Sequence, residues 1–266
     1  MVMSKRVVII GGVAAGPKAA SRVIRLMPDA QVTLVEKGEF LSYAGCGLPY
    51  YLSGVVKEQK ELMATPVGVV RDPVFFQKVK NVRVLKRTEA LAIDRPNKRV
   101  RIKDLDSGEE SELEYDNLLL ATGACPAVPP IPGVELENIF TLHGVTDTEG
   151  IRAALAKGGG QDVVIVGGGL IGVEVTEALT ARGCRVTIVE MLPQILNMLD
   201  WEMARLVQQH MESKGVKVLT GTKVKSFQGN GKVSAVLTDG PALPAELVIM
   251  AVGVRPNVKL AQDAGL

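Results

Sequence analysis

Two kinds of residue in this sequence have types and a spacing that could do chemistry: glycines followed by a distant acid, and a cysteine between glycines. Residues 163–172 read VVIVGGGLIG, and the next apolar run ends at Glu190. A turn of this kind lets a dinucleotide pyrophosphate approach the backbone, and the acid accepts hydrogen bonds from the adenosine ribose. Gly167, Gly169 and Gly172 complete the spacing. This stretch therefore predicts a dinucleotide-binding turn.

The same pattern occurs a second time, near the beginning of the chain, in a weaker form. Residues 7–16 read VVIIGGVAAG, and the following apolar run ends at Glu36. Val13 stands where the middle glycine is expected, so this copy alone is a weak signal, and an ordinary tight turn between a strand and a helix is the alternative. The copies also share an ending, LLLATGACP at 118–126 and VIMAVGVRP at 248–256. Repetition of the whole pattern predicts two similar α/β units.

Each motif must be positioned by a strand, a tight turn and a helix. The apolar runs before the turns are rich in β-branched residues, as buried parallel strands are. Residues 81–105 and 216–239 instead alternate apolar and polar residues, which predicts antiparallel strands added to each unit. Four prolines between 126 and 133 predict a boundary. We expect an α/β fold with two Rossmann-like domains, each a parallel sheet with helices plus an antiparallel β-meander.

Two dinucleotide sites in one chain indicate electron transfer between two cofactors, and FAD with a nicotinamide is the simplest pair. A carboxylate at Glu190 favours a ribose with free hydroxyls and repels a 2′-phosphate, which predicts NADH rather than NADPH. Arg182 and Arg185 lie close to it in the sequence, so NADPH stays an alternative.

Composition excludes several classes of function. Lys and Arg number 31 and Asp and Glu 29, a net charge of +2 that leaves no excess of cations for nucleic acid. No apolar run reaches the roughly 20 residues that span a bilayer. Three cysteines, an odd number in a chain of 266 residues, do not make a disulfide scaffold. We therefore expect a protein of the reducing cytoplasm, with no nucleic-acid or membrane partner and no metal.

Cys46 is the candidate nucleophile. It lies in SYAGCGLPYY at 42–51, just before a short apolar segment that could be a helix. A helix N-terminus favours a thiolate over a thiol, and the thiolate is the reactive form. The alternative is a small buried apolar residue. Cys125 and Cys184 are interpreted as structural, and no closely spaced cysteine pair exists to form a dithiol centre.

The order of these motifs resembles the pyridine nucleotide–disulfide oxidoreductases. The branch with a single redox cysteine is the most similar: coenzyme A disulfide reductases, NAD(P)H-dependent persulfide or polysulfide reductases, and NADH oxidases. The resemblance covers the whole chain and is most specific at residues 42–51. It implies an FAD-binding domain at 1–125, an NAD(P)-binding domain at 126–253, and a start of the return to the first domain at 254–266.

The resemblance also implies roles for individual residues. Cys46 is the redox-active thiol that forms a mixed disulfide or persulfide. The cofactor-binding residues are Gly11, Gly12, Val13, Ala14, Ala15, Gly16, Glu36, Lys37, Ser42, Pro49, Thr122, Gly123, Gly167, Gly169, Ile171, Gly172, Glu174, Glu190 and Gly253. The substrate-binding residues are Lys18, Arg22, Arg25, Ser42 and Gly45.

The basic residues and Gly45 need separate comment. Lys18, Arg22 and Arg25 share one face of the first helix, which is either a solvated face or a grip on the phosphates of coenzyme A. Family members commonly have an asparagine immediately before the cysteine. This chain has Gly45 at that position, so the side-chain hydrogen bond of the asparagine is absent.

The expected function is FAD-dependent reduction, by NADH, of a small disulfide or persulfide that is linked to coenzyme A. An NADH oxidase is the alternative, but peroxidase and water-forming members have a histidine in the first glycine turn, where this chain has Val13, Ala14 and Ala15. A non-catalytic nucleotide-binding fragment or a subunit of a larger complex is a further alternative. The resemblance also implies that the full-length protein is a homodimer. It further implies that this chain stops before the dimerisation domain. We therefore expect an incomplete FAD domain and weak or absent catalysis by this chain alone.

Overall fold

The computed structural model describes residues 4–158 and 160–266. The helices are α1 (Ala15–Leu26), α2 (Leu48–Ser53), α3 (Pro73–Lys80), α4 (Val145–Ala156), α5 (Leu170–Ala181), α6 (Trp201–Ser213) and α7 (Lys259–Asp263). The strands up to the middle of the chain are β1 (Arg6–Ile10), β2 (Gln31–Val35), β3 (Val82–Leu85), β4 (Thr88–Asp94), β5 (Arg99–Asp104), β6 (Glu110–Glu114), β7 (Asn117–Leu120), β8 (Ala124–Pro126) and β9 (Ile139–Thr141). Those that follow are β10 (Asp162–Val166), β11 (Arg185–Val189), β12 (Lys217–Leu219), β13 (Val224–Asn230), β14 (Lys232–Thr238), β15 (Leu243–Pro244), β16 (Leu247–Met250) and β17 (Val254–Pro256).

Among the described residues, the first unit comprises 4–45, 58–124 and 256–266. Its parallel sheet has the order β3-β2-β1-β7, and Ile9 at the centre pairs with Leu34 on one side and Leu119 on the other. β1 and β2 are almost fully buried, as expected for central strands covered on both faces. Ala20 of α1 packs into this core, where a small side chain lets the helix lie close to the sheet. An antiparallel sheet, β4-β5-β6, completes the unit.

The second unit comprises residues 46–57, 125–158 and 160–255. Its parallel sheet has the order β12-β11-β10-β16-β9, with Ile165 paired to Ile188 and to Ile249. The antiparallel sheet β13-β14-β15 contributes Val236 to a core that it shares with β10 and β16. Element by element, β10, α5, β11, α6, β12, the antiparallel sheet and β16 repeat β1, α1, β2, α3, β3, the other antiparallel sheet and β7.

The predicted fold class, two α/β units with parallel sheets and antiparallel additions, is confirmed. Two details of it are wrong. Residues 82–85 and 217–219 were assigned to the antiparallel additions, but β3 and β12 are outer strands of the parallel sheets. An outer strand is partly exposed, so its sequence alternates as an antiparallel strand does.

The predicted boundary at residue 125 differs from the observed division at one segment. Residues 46–57, which include Cys46 and α2, belong to the second unit and not to the first. No helix within residues 4–158 and 160–266 is long and apolar enough to span a membrane.

Candidate functional site

The first glycine turn is closed by backbone contacts that exclude side chains. Gly11 has φ +112°, and its N–H donates to the Val35 carbonyl at 2.8 Å. A Cβ added to Gly11 would lie 2.0 Å from the carbonyl oxygen of Ala121, and one added to Gly16 would lie 1.8 Å from that of Gly11. These two glycines therefore let α1 begin directly against the end of β1.

Glu36 holds this turn from the end of β2. Its carboxylate accepts a hydrogen bond from the N–H of Gly12 at 2.5 Å and another from the N–H of Gly38 at 2.6 Å. Bonds from backbone N–H groups to a carboxylate are charge-assisted and strong. The acid that the sequence assigned to a ribose thus also orders the turn, and each oxygen retains a lone pair for a ligand.

The second turn repeats this arrangement. Gly167 has φ +108° and donates to the Val189 carbonyl at 2.9 Å, and a Cβ on Gly172 would lie 2.1 Å from the Gly167 oxygen. Glu190 accepts from the N–H of Gly168 at 2.6 Å and from that of Leu192 at 2.8 Å. The two turns therefore share their hydrogen bonds as well as their sequence pattern.

Both turns fit a bound dinucleotide. A Cβ on Gly169 would meet no atom within 4 Å, so the backbone faces open space where a pyrophosphate would approach. At the equivalent place Val13 is half-buried. Neither α1 nor α5 has a side chain that caps its N-terminus, which leaves backbone N–H groups free to bind phosphate.

The remaining predicted cofactor residues lie around these turns. Ala14, Ala15, Ile171 and Glu174 are exposed at the starts of α1 and α5. Lys37 is exposed and forms an ion pair with Glu89 at 2.7 Å, so its ammonium points along the surface of the antiparallel sheet.

Thr122 and Gly123, which follow β7, are tied to a residue that the sequence reasoning missed. Asn257 donates its side-chain amide to the Thr122 carbonyl at 2.8 Å and its N–H to the Gly123 carbonyl at 2.9 Å. The Thr122 hydroxyl donates back to the Asn257 carbonyl at 2.8 Å. In the second unit the equivalent Gly253 accepts from the N–H of Ala127 at 2.9 Å. Asn257 follows the repeated proline, and that position is the only signal the sequence offers for it.

A cleft of about 500 Å³ opens beside α1 in the first unit. Lys18 and Arg25 line it, as the predicted basic face implies, but Arg22 does not. Two further cations were missed: Arg71, whose Nε donates to the Met63 carbonyl at 2.9 Å, and Lys80. The other lining residues are Val13, Ala14, Pro17, Ser21, Ser42, Tyr43, Ala44, Thr65, Phe75 and Phe76. Four cations therefore line one cleft, and cations of this kind are the usual partners of phosphate groups.

The segment from Ser42 to Pro49 leads from this cleft to the cysteine. Ser42 is 9% exposed, has φ +46°, and donates its N–H to the Gly12 carbonyl at 2.8 Å. A Cβ on Gly45 would meet no atom within 4 Å, so the absent asparagine leaves open space. Cys46 is exposed in a short 3-10 turn just before α2, whereas Pro49 is buried in the first turn of that helix. Exposure makes the Cys46 thiol accessible to a disulfide.

The other two cysteines have different surroundings. Cys184 is partly buried, and burial raises the pKa of its thiol above the ordinary value. Cys125 is exposed, with its Sγ 3.6 Å from the Arg255 carbonyl oxygen.

The two arginines that left NADPH open are engaged elsewhere. Arg185 binds Asp162 through two hydrogen bonds of 2.8 and 2.7 Å. Arg182 donates to the Leu52 carbonyl at 3.2 Å. Each guanidinium thus already has an acceptor within the protein, but both are exposed and keep N–H groups to donate, so NADPH stays an alternative.

Comparison with known proteins identifies the family of this chain. The profile of the family "pyridine nucleotide-disulphide oxidoreductase" matches residues 5–266, so the chain belongs to that family. An NAD(P)H sulfur oxidoreductase (CoA-dependent) of Pyrococcus abyssi is 39% identical over 99% of this chain and 57% of its own. An NADH oxidase of Methanocaldococcus jannaschii is 36% identical over 98% and 57%.

Among solved structures, the NAD-dependent persulfide reductase of A. fulgidus superimposes with a TM-score of 0.95 at 44% identity. It covers 98% of this chain and 48% of the other. The chain thus spans little more than half the length of the curated relatives it matches.

Proposed function

We propose that this chain carries the dinucleotide-binding units of an FAD-dependent oxidoreductase, which uses NADH to reduce a small disulfide or persulfide linked to coenzyme A. The cationic cleft is the observation that carries the proposal. Ser42 and Ala44 line it, and Cys46 follows two residues after Ala44 in the sequence. Because the cleft and the exposed thiol are so close in the sequence, we assign both to the same substrate.

The residues of each turn suit one cofactor. Gly11, Gly16 and Glu36 would hold FAD in the first unit, and Gly167, Gly172 and Glu190 would hold NADH in the second. When bound, FAD supplies the passage of an electron pair from the nicotinamide to the thiol site. Glu190 favours NADH because its carboxylate repels a 2′-phosphate.

Cys46 performs the sulfur chemistry. Its thiolate attacks one sulfur of the disulfide RSSR, which forms a Cys46–S–SR bond and releases RS⁻ as the leaving group. Two electrons from NADH then break the new bond, which regenerates the thiolate and releases the second RS⁻. With protons from solvent the sum is NADH + H⁺ + RSSR → NAD⁺ + 2 RSH.

Turnover of three acceptors tests this proposal. With FAD bound, NADH oxidation is measured with coenzyme A disulfide, polysulfide and oxygen side by side. The Cys46→Ser variant is expected to lose the first two activities, and Cys125→Ser, a matched change at an exposed thiol, is expected to retain them. Equal loss in both variants, or a protein that binds no FAD, contradicts the proposal.

The cleft is tested by the choice of disulfide. Arg71→Met is expected to raise KM for coenzyme A disulfide about tenfold, the size of one charge-assisted bond to phosphate. KM for cystine, which has no phosphate, is expected to stay unchanged. A parallel rise for both substrates contradicts a phosphate-binding role.

An NADH oxidase is the second candidate, because the M. jannaschii relative has that name. Val13, Ala14 and Ala15 place no acid–base side chain in the first turn, which disfavours peroxide chemistry there. Oxygen consumption without a disulfide acceptor distinguishes the two.

We further propose that the protein is a homodimer, because the family resemblance implies one. We also propose that it works in the cytoplasm, because all three cysteines are unpaired.

A further inference from the structure

The helix that follows Cys46, α2, is short and is bound by side chains from two other helices. α2 has six residues, too few to be stable alone in water. Leu48, Pro49 and Leu52 are buried, whereas Tyr50 is 57% exposed. One face of α2 is therefore packed within the second unit, to which residues 46–57 belong.

Two arginines bind the carbonyl end of α2. The last four carbonyls of a helix have no partner within it. Arg152 of α4 donates to the Tyr51 carbonyl at 2.5 Å, and Arg182 at the end of α5 donates to the Leu52 carbonyl at 3.2 Å. Cations also suit the negative end of the helix dipole.

Tyr51 adds a second connection to α4. Its ring lies under the Arg152 guanidinium, with 4.2 Å between Cζ and the ring centroid, and its hydroxyl donates to Glu149. The side chain is 5% exposed. Burial, together with the hydrogen bond to Glu149, raises the pKa of the Tyr51 hydroxyl, which therefore remains a donor at neutral pH.

We propose that Arg152 and Arg182 are positioning residues for the Cys46 thiol, because they anchor the adjoining helix to α4 and α5. The thiol lies one residue before the N-cap of α2. Its location is therefore set by the nicotinamide unit of the repeat. This inference rests on the proposed function for its catalytic consequence, but the anchoring itself can be measured without it.

The catalytic test separates the thiol from the cofactors. In the holoenzyme, Arg152→Met is expected to lower kcat with coenzyme A disulfide about tenfold, with KM unchanged, since misplaced reacting groups lose rate rather than binding. NADH oxidation with ferricyanide, which bypasses Cys46, is expected to stay unchanged. Arg152→Lys, which keeps a donor for the carbonyl, is expected to recover part of kcat. Arg205→Met, the same change at an exposed position of α6, is the matched control. Equal loss with both acceptors, or no loss, overturns the proposal.

A spectroscopic test covers the case in which the parent protein reduces no disulfide, so that the proposed function has failed. A nitroxide attached to Cys46 in a Cys125→Ser, Cys184→Ala background reports the motion of this position. Its spectrum is expected to show faster motion in Arg152→Met, and also in Tyr51→Phe, a milder change that removes one hydroxyl. Spectra identical to the parent in folded Arg152→Met and Tyr51→Phe overturn the proposal.

Discussion

The two units close the same turn with the same hydrogen bonds, yet the helices that follow carry opposite charge. α1 exposes Lys18, Arg22 and Arg25 and has no acid, whereas α5 exposes Glu174 and Glu177 and has no base. The shared part is the backbone cradle and its carboxylate, which suits a dinucleotide whose adenosine ribose has free hydroxyls, as in FAD and NADH. The difference lies outside the cradle: a cationic cleft lies beside α1, whereas the residues that α5 exposes include two acids and no base. A duplicated fold can thus keep one binding function and vary a second.

The largest effect is expected where the copies are most alike. A Cβ on Gly16 or on Gly172 would overlap the carbonyl oxygen of the preceding turn, at 1.8 and 2.1 Å. Gly16→Ala and Gly172→Ala are each expected to lower the free energy of unfolding by about 3 kcal/mol, as overpacking does. Urea denaturation measures this, with Gly240→Ala, where the nearest contact is 3.6 Å, as the control. A large loss in one copy alone shows that the turns are not equivalent.

A smaller effect is expected where the copies differ. Gly169→Val gives the second turn the residue of the first, Val13. Its φ of −76° and the open space around it predict an unchanged urea midpoint. The affinity for NADH is expected to weaken about thirtyfold, because the side chain enters the space where the pyrophosphate approaches. Titration of NADH fluorescence measures this. The affinity of Gly169→Ala is expected to lie between those of the parent and Gly169→Val. Undiminished affinity in Gly169→Val shows that the second turn tolerates a side chain here, as the first turn does at Val13, and that this difference between the copies does not affect binding.

The two acids provide the third test. Glu190→Gln removes the charge that repels a 2′-phosphate, so the ratio of kcat/KM for NADPH to that for NADH is expected to rise about tenfold. Steady-state kinetics with both nucleotides give the ratio. Glu36→Gln makes the same change in the first unit and is expected to leave this ratio of kcat/KM values unaltered. If Glu36→Gln shifts the ratio and Glu190→Gln does not, the cofactors are assigned to the wrong units.

The smallest effect concerns the ion pair at the start of β10. Hydrogen bonding to Arg185 holds the pKa of the Asp162 carboxyl below its ordinary value. A depressed pKa in the folded state means that the pair stabilises the protein above the unfolded-state pKa of about 3.9 and loses this contribution as pH falls further. Arg185→Met is expected to lower the urea midpoint only slightly at pH 7, since the arginine is largely exposed.

Urea denaturation of the parent protein and of Arg185→Met over a range of pH tests this prediction. The difference between their free energies of unfolding is expected to vanish in strong acid. Lys232→Met removes a more open pair, at 3.9 Å from Glu137, and is expected to change little. If Arg185→Met still lowers the free energy of unfolding in strong acid, packing and not the charge on Asp162 is responsible.

Most of the fold could be predicted because its signals are local. A buried run followed by glycines and a helix defines β1 and α1, and likewise β10 and α5. The strands at 82–85 and 217–219 were misassigned because alternation reports exposure on one face and not the direction of the partner strand. Their place at the outside of a parallel sheet depends on pairing with residues far away in the chain.

The sequence by itself determined the glycine turns and Glu36 and Glu190, since a tight turn and an acid at a strand end are set by a few consecutive residues. Only the tertiary structure decided two things. Arg71 and Lys80 join Lys18 in one cleft, because α3 and the loop before it fold back beside α1. The helix after Cys46 is anchored by arginines from α4 and α5, because its short length leaves its carbonyls to partners elsewhere in the second unit.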